Sequence, residues 1–151
     1  MTHHPHRTGR RDPGRARVTP RDLVLLRFVA EAQPVRAVDL AVIAGMSHQT
    51  VRRRARTLRD LGLVSTHVVA AESPNFYTLA KGALPILRRL GFPDDRLYVP
   101  SGLGKVNVEH HLGAVELHAA LHRACSVDNA TRLDEFLHER DLRRLTGARL
   151  R

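Results

Sequence analysis

Residues 47–61 of this 151-residue chain carry side chains that could bind a polyanion and read its hydrogen-bonding groups. The segment holds five arginines, and Gln49 and Thr50 come just before them. A guanidinium can donate two parallel hydrogen bonds to O6 and N7 of guanine, and a glutamine amide can pair with N6 and N7 of adenine. Arginines that do not reach base edges can bind phosphates. These residue types indicate contact with duplex DNA.

The apolar residues of the same segment recur at the spacing of a helix. Ser47 is a favourable N-cap, and Gly62 suits the position after the last turn. The stripe that we predict to be buried is Val51, Ala55, Leu58 and Leu61. The candidate DNA contacts on the first turn and opposite face are Ser47, His48, Gln49, Thr50, Arg52, Arg53, Arg56 and Arg59.

Position along this helix separates two kinds of contact, because the N-terminal residues of a helix in the major groove reach the base edges. The residues that we expect to read sequence are Gln49, Thr50, Arg52 and Arg53. The residues that we expect to bind phosphates are Arg54, Arg56 and Arg59. A charged helix face that contacts only water is the alternative interpretation, and the neighbouring elements argue against it.

Two helices precede this one in the order of a helix-turn-helix. The residues typical of a helix start in the first are Thr19, Pro20 and Asp22. This helix ends near Ala32, just before a proline. The second helix, Ala37–Ala44, ends at Gly45, which suits a left-handed C-terminal cap. The turn to the third helix is therefore short, as in DNA-binding helix-turn-helix motifs.

Two β-prone runs, LVSTHVVA and NFYTL, follow the third helix. They are rich in β-branched and aromatic residues and are separated by AESP, so they predict a hairpin, or wing. The wing tip, residues 70–73, carries no positive charge, and His67 is the one flanking residue that we expect to touch the DNA backbone. A fourth helix, Ala80–Leu90, ends at Gly91.

The elements predict a mainly α-helical fold with a small β-hairpin: a winged helix-turn-helix followed by additional C-terminal helices. We divide the chain into four parts. Residues 1–18 are expected to be a disordered basic arm, and residues 19–90 the DNA-binding domain. Residues 91–107 are a linker rich in glycine and proline, and residues 108–151 form a dimerisation or partner region.

Positive charge is concentrated in the first half of the chain. The formal net charge is +10, and residues 1–62 hold 13 arginines against five acids, a net +8. A field of this kind attracts polyanions such as nucleic acid. The arm residues that we expect to contact phosphates are Arg7, Arg10, Arg11, Arg15 and Arg17.

Cysteine usage and hydropathy restrict the compartment. Cys125 is the only cysteine, which excludes an intramolecular disulfide and is typical of a reducing environment. No apolar run is long enough to cross a bilayer, and the first residues lack the apolar core of a secretory signal. We therefore expect a cytoplasmic protein without membrane contact.

The predicted fifth helix, Val108–Ser126, has an apolar face that needs a partner, and we expect a homodimer. The predicted dimer seam is Leu112, Val115, Ala119 and Leu121. His118, His122 and Cys125 also share one side of this helix, at spacings that zinc ligands can adopt. No fourth ligand accompanies them, and a lone cysteine is typically a small buried hydrophobe, so we expect neither a metal nor another cofactor.

A sixth helix, Leu133–Leu145, is predicted near the end of the chain. Its carboxylates alternate with arginines, which is typical of ordinary surface pairs three and four residues apart. The chain has no G-x-S-x-G, no phosphate-binding glycine loop and no H-E-x-x-H motif. We therefore expect a binding protein rather than an enzyme.

Several stretches resemble known families. Leu58–Val64 is similar to the end of the reading helix in MarR-type winged helices. More specifically, residues 19–140 resemble the replication-relaxation family of plasmid and mobile-element proteins. The motifs that carry this likeness are Thr-x-Arg-Asp from Thr19, Tyr77-Thr78-Leu79-Ala80, HHLGAVELHAAL from His110, and Leu133–Arg140. The resemblance implies a DNA-binding fold and a role in plasmid replication, maintenance or transfer, or in regulating their genes. We expect members to continue into a nuclease-like region that these 151 residues do not include.

The expected function is sequence-specific binding of double-stranded DNA by a homodimeric regulator of transcription or of plasmid or mobile-element replication. One alternative is an accessory or nuclease-like protein of plasmid replication or conjugation, which metal-dependent nicking would identify. The other is a protein-interaction adaptor on a winged-helix scaffold. Binding to a protein partner that is insensitive to salt, without affinity for DNA, would identify the adaptor.

Overall fold

The computed structural model describes residues 17–68, 75–101, 105–128, 130–134, 136–138, 141–142 and 146, and only the backbone of 105–107. Within these ranges the fold is mainly helical, with a small three-stranded antiparallel sheet. The helices are α1 (Pro20–Ala32), α2 (Ala37–Ile43), α3 (His48–Asp60), α4 (Ala83–Arg89) and α5 (Lys105–Val127). The strands are β1 (Val35–Arg36), β2 (Val64–His67) and β3 (Phe76–Leu79), and a 3₁₀ turn, Asp94–Arg96, follows α4.

The start of α1 is held by the predicted cap. The Thr19 amide donates to Asp22 Oδ2 at 2.6 Å, and the Thr19 hydroxyl donates to the same oxygen at 2.7 Å. Pro20 occupies the first position, where its missing N–H costs no helical hydrogen bond. Leu25, Leu26 and Val29 form the inner face of α1, and Leu23 is only half-buried.

A tight turn joins α2 to α3. Gly45 adopts φ +61°, a conformation that strains any residue with a side chain. Ser47 Oγ then accepts a hydrogen bond from the Thr50 amide at 3.2 Å and caps α3. Gly62, at φ +70°, follows the other end of the helix. The predicted ends of the helix are confirmed. The predicted burial of Leu61 is wrong: it is 36% exposed, because it is the C-cap residue and lies beyond the last turn.

The sheet has the strand order β1-β3-β2, so β3 is the central strand. The predicted hairpin is confirmed, with Val64 paired to Leu79 and His67 paired to Phe76. The two-residue strand β1, which the sequence did not predict, pairs with the first half of β3. All four residues of β3 are buried as a result. The predicted wing tip, residues 70–73, lies outside the described residues.

A buried glutamine extends the sheet edge beyond β1. Gln33 Oε1 accepts a hydrogen bond from the Leu79 amide at 2.8 Å, and Gln33 Nε2 donates to the Tyr98 carbonyl at 3.0 Å. Both polar groups of this side chain are therefore satisfied, as burial requires. The contact ties the end of α1 to the central strand and to the segment after the 3₁₀ turn.

One hydrophobic core joins all five helices to the sheet. Fully buried members from successive elements are Leu26, Leu40, Val51, Leu79, Leu87 and Val115. α5 packs mainly on α2, and a smaller cluster joins Val108 and Leu112 of α5 to Phe76 of β3. α3 is therefore held by the same core that receives α5.

α4 begins at Ala83, three residues after the predicted start. The preceding residue, Gly82, passes so close to the end of α3 that a Cβ atom there would lie 2.7 Å from the Gly62 carbonyl oxygen. The Ala80 amide donates to the Leu63 carbonyl at 3.0 Å. These contacts make residues 80–82 part of the turn that ends the hairpin.

The C-terminal region differs from the prediction at two points. α5 begins at Lys105 instead of Val108, inside the segment that was expected to be a linker. The described residues between 130 and 138 are not helical, so a sixth helix starting at Leu133 is wrong, although residues 141–142 are helical. The rest of that predicted helix, residues 135, 139–140 and 143–145, lies outside the described residues.

Candidate nucleic-acid interface

α3 exposes its charged face because the opposite face is fixed in the core. Val51, Ala55 and Leu58 are each no more than 4% exposed, which confirms three of the four residues in the predicted stripe. Since a helix repeats every 3.6 residues, side chains half a turn away point to solvent. The exposed residues on that side are His48, Gln49, Arg52, Arg53, Arg56 and Arg59.

The guanidinium groups of three of these arginines have no hydrogen-bond or ion-pair partner within the described part of the chain: Arg52, Arg53 and Arg56. Each guanidinium has five N–H donors and carries a positive charge. Arg59 differs, because its Nη2 lies 2.9 Å from Asp60 Oδ1. Both of those side chains are exposed, so this pair is weak. The face thus offers three unpaired cations and a fourth that a phosphate can compete for.

Two adjoining grooves run along this face. The first, of about 410 Å³, is lined by His48, Gln49, Arg52, Arg53 and Arg56. The second, of about 380 Å³, is lined by Arg36, Ala37, Val38, His48, Arg52, Asn75 and Tyr77. His48 and Arg52 belong to both grooves, so the concave surface continues from α3 to the start of α2 and the start of β3.

Tyr77 is a member of this surface that sequence reasoning missed. Burial raises the pKa of its phenol, while the guanidiniums of Arg52, Arg56 and Arg59 oppose that rise. The side chain is therefore a neutral hydrogen-bonding group beside the arginines. Its place in the alternation of β3 was visible in the sequence, but nothing in the sequence indicated that β3 lies beside α3.

The first turn of α3 is partly engaged in its own cap. The Ser47 hydroxyl donates to Thr50 Oγ1 at 2.8 Å, in addition to accepting from the Thr50 amide. The single proton of Ser47 is thus used within the protein, whereas Thr50 keeps its own hydroxyl proton. Of these two predicted contacts, Thr50 retains a donor and Ser47 acts through the cap.

Arg54 does not belong to the exposed face. Its Nε donates to Asp22 Oδ1 at 2.6 Å, and its Nη2 donates to Asp22 Oδ2. Asp22 is fully buried, and the Arg54 side chain is 21% exposed. The prediction that Arg54 binds phosphate is therefore wrong, because its guanidinium neutralises a buried carboxylate.

The Asp22 carboxylate is ionised in this setting. Burial by itself would raise its pKa, but the hydrogen bonds from Arg54 and Thr19 outweigh burial, and the pKa lies below its usual value. The same pairing raises the pKa of Arg54. Asp22 belongs to α1 and Arg54 to α3, so this pair fixes the charged helix against the first helix.

His67 is engaged within the sheet. Its Nε2 lies 2.9 Å from Thr78 Oγ1, and its ring stacks on Phe76 with 5.1 Å between centroids. Burial lowers the pKa of the imidazole, which is therefore uncharged at neutral pH. The expected contact between His67 and the DNA backbone is not favoured, because a neutral, hydrogen-bonded ring gains little from a phosphate.

The basic arm enters the described structure only at its end. Arg17 is exposed, and its carbonyl accepts a hydrogen bond from Arg54 Nη2 at 3.5 Å. The chain that leads into the arm therefore passes beside α3. The other four predicted arm contacts, Arg7, Arg10, Arg11 and Arg15, lie outside the described residues.

The predicted dimer seam on α5 faces its own chain. Leu112, Val115 and Ala119 are each no more than 3% exposed, and they pack in the core or against Phe76. They cannot meet a second copy, so this part of the predicted seam is wrong. Leu121, the fourth residue, is 39% exposed on another side of the helix.

His118 of α5 forms an aromatic cluster with the segment that follows the helix. His118 stacks on Phe136 with 4.4 Å between ring centroids, and His138 packs edge-on against both rings. Burial, and to a smaller extent the nearby His122, lowers the pKa of His118. Among the residues that the structure describes, no three His, Cys, Asp or Glu side chains are arranged to hold a metal ion.

Comparison with known proteins adds no relative to this description. No family model, no curated protein and no solved structure matches the chain. The resemblance to the replication-relaxation family and to MarR-type winged helices accordingly stays a prediction from the motifs. Within the described ranges, no helix has the length and apolar character needed to cross a membrane.

Proposed function

We propose that this protein binds double-stranded DNA in a sequence-specific manner, with α3 in the major groove and the domain acting as a winged helix-turn-helix. The observation that carries the proposal is the exposed face of α3, on which the guanidiniums of Arg52, Arg53 and Arg56 have no partner among the described residues. Three unpaired guanidiniums beside one another repel each other, and a polyanion relieves that repulsion.

The order of elements supports the same proposal. A first helix, a short strand, two helices joined by a tight turn and then a hairpin is the arrangement in which a winged helix-turn-helix presents its third helix to DNA. The core fixes α3 along its whole inner face, and the Asp22–Arg54 pair fixes it against α1. A rigid element of this kind suits base reading, which requires precise placement of side chains.

The roles of individual residues follow from their position. Gln49, Arg52 and Arg53 lie on the N-terminal half of the exposed face, where a helix reaches base edges. Arg56 and Arg59 lie farther along and bind phosphates. Tyr77 and Asn75 line the second groove and can donate hydrogen bonds to the DNA phosphates on that side of α3.

Selective binding near a promoter or a replication origin would make the protein a regulator of transcription or of plasmid or mobile-element replication. That role is the one implied by the family resemblance. The described residues contain no metal-binding cluster, and no observation favours a nuclease or an adaptor over a DNA-binding protein.

Binding to duplex DNA across a series of salt concentrations tests the proposal. We expect affinity to fall steeply with salt, and we expect fragments from around the protein's own gene to bind more tightly than random duplex. Replacing Arg56 by alanine should lower the slope of log K against log salt by about 0.9, the value for one phosphate contact.

Arg27→Ala is the matched control, because it removes the same charge from an exposed position on α1, where Arg27 pairs with Glu31. It should leave the slope nearly unchanged. Absence of binding at low salt by folded protein would overturn the proposal. Steep salt dependence without preference for any fragment would reject sequence-specific reading.

A further inference from the structure

α5 has a second apolar face, which points to solvent. Its inner side packs on α2 and β3, but on the outer side Leu117 is 56% exposed, Leu121 39% and Val127 82%. The exposed residues between them are small: Gly113, Ala120 and Ala124. A helix that is apolar on both sides requires contacts on both sides. Within the described chain, Leu117, Leu121 and Val127 remain exposed on the outer side.

The outer residues are spaced like those of a helix that packs on another helix. Positions 113, 117, 120, 124 and 127 are all exposed and alternate between steps of four and three residues. This is the a and d pattern of a coiled-coil seam, and we call it the outer seam. The small residues at three of these positions allow two helices to approach closely. At 23 residues, α5 is about 34 Å long, enough for five turns of contact.

Charge decides the orientation of the second helix. Glu116 and Arg123 are both exposed, and each comes directly before an a position of the outer seam. In an antiparallel pair, a residues lie beside d residues, so Leu117 of one copy meets Ala120 of the other. That register sets Glu116 of each copy beside Arg123 of the other, which forms two ion pairs. In a parallel pair, Glu116 would lie beside Leu121 and gain nothing. Arg123 would lie beside Asp128, but that residue follows the end of α5, and its carboxylate already accepts hydrogen bonds from the Ala130 amide and the Thr131 hydroxyl.

Glu116 already makes one contact within its own chain. Its Oε2 lies 3.5 Å from Arg36 Nη1, a long contact that holds the side chain against the body of the protein without using its other oxygen. The Glu116 side chain remains 68% exposed. Arg123 is exposed as well, so it can reach a second copy. It also lies near the buried Asp39 of α2, where burial raises the pKa of the carboxyl and the charges of Arg36 and Arg123 oppose that rise.

We propose that two copies of this chain associate through the outer seam of α5, antiparallel, with Glu116 of each copy paired to Arg123 of the other. This face lies on the side of α5 opposite Leu112 and Val115. Among the residues of the seam predicted from sequence, only Leu121 adjoins it. The proposal does not depend on DNA binding, and its test is made without DNA.

The first test is the mass of the full chain in solution, measured by sedimentation equilibrium from about 1 to 100 μM, the range in which a weak dimer dissociates. We expect a monomer–dimer equilibrium. Leu117→Asp should raise the dissociation constant at least tenfold, because it places two carboxylates in an apolar seam. Leu90→Asp is the control, since Leu90 is 53% exposed at the end of α4, outside the seam. Circular dichroism of each variant checks that it is folded.

The second test is a charge exchange that only the antiparallel register predicts. Glu116→Arg alone and Arg123→Glu alone should each weaken the dimer, because each sets like charges against one another twice. An equimolar mixture of the two variants should restore association, since every 116–123 contact is then of opposite charge. A monomeric wild type, equal effects of the Leu117 and Leu90 variants, or a mixture that does not associate would each overturn the proposal.

Discussion

Arg54 and Arg53 are neighbours in the sequence, yet Arg54 makes a two-point ion pair with the buried carboxylate of Asp22 while Arg53 faces solvent. The difference follows from helix phase. Arg54 lies beside the buried stripe that contains Val51 and Leu58, whereas Arg53 lies opposite that stripe. Arg54 therefore stabilises the fold, and Arg53 is available to a ligand. This division allows stability and DNA binding to be tested separately.

Arg54→Ala should lower the free energy of unfolding by about 2–4 kcal/mol, because it leaves Asp22 charged and buried without its main partner. The figure lies toward the lower part of the range for buried pairs, since Arg54 is 21% exposed. Chemical denaturation at pH 7 provides the measurement. Arg53→Ala is the matched control and should change stability by no more than about 0.5 kcal/mol. Equal stability of the two variants would show that the pair does not anchor α3.

The penalty of Arg54→Ala should shrink as the pH falls. In the wild type the pKa of Asp22 is lowered, so its contribution to stability is present above the unfolded pKa of about 3.9 and is lost as pH falls through the folded value. Without Arg54, burial raises that pKa, and protonation relieves the buried charge. Unfolding free energies of both proteins at pH 7, 5 and 4 should therefore converge. A constant difference across this range would contradict the assignment.

The parts of the fold that local signals specify were predictable from sequence. The Thr19–Asp22 cap, Gly45, Gly62 and the buried stripe of α3 each depend on residues a few positions apart. The Asp22–Arg54 pair joins residues 32 positions apart, and three consecutive arginines offered equivalent partners. The two-residue strand β1 is too short to show any periodicity.

α5 shows another limit of sequence reasoning. Both of its sides are apolar, so periodicity alone cannot tell which side packs on the chain and which meets a partner. The prediction assigned Leu112 and Val115 to a dimer, because the sequence did not show that β3 covers Leu112 and that α5 packs on α2. The same limit hid the place of Tyr77 beside α3, since adjacency of a strand and a helix is a tertiary property.

His118→Phe should reduce the loss of stability between pH 7.5 and 5.5. Burial lowers the pKa of His118, so the unfolded chain takes up its proton first and stability falls as the pH drops below about 6.5, the unfolded value. Phenylalanine keeps the stacking on Phe136 and removes the titration. Melting temperatures of the two proteins at both pH values provide the comparison.

The melting temperature of His118→Phe should still fall somewhat between pH 7.5 and 5.5, because burial also lowers the pKa of His67. If the melting temperature of His118→Phe fell as much as that of the wild type, His118 would not titrate differently in the folded and unfolded chains.

Gly82→Ala should destabilise the fold by about 1–3 kcal/mol, the usual cost of overpacking. The added Cβ would lie 2.7 Å from the carbonyl oxygen of Gly62, a backbone atom that cannot move without displacing the end of α3. Gly113→Ala is the control, because a Cβ there meets nothing within 4 Å. Alanine should raise the free energy of unfolding by about 0.5–1 kcal/mol relative to glycine in a helix interior. Denaturation at low protein concentration keeps association through α5 out of the comparison. If both variants gained stability, the close approach of residues 62 and 82 would be in doubt.

Arg53→Ala should cost about 1–3 kcal/mol of affinity for the preferred DNA fragment, the scale of a lost bidentate contact to a base. Because base contacts carry the preference and phosphate contacts do not, random duplex should lose much less. Fluorescence anisotropy with both duplexes at one fixed salt concentration measures the two losses. Arg27→Ala, which removes the same charge from α1, corrects for the general effect of lower net charge. Equal weakening of preferred and random DNA would assign Arg53 to the phosphates, and base reading would then rest on Gln49 and Arg52.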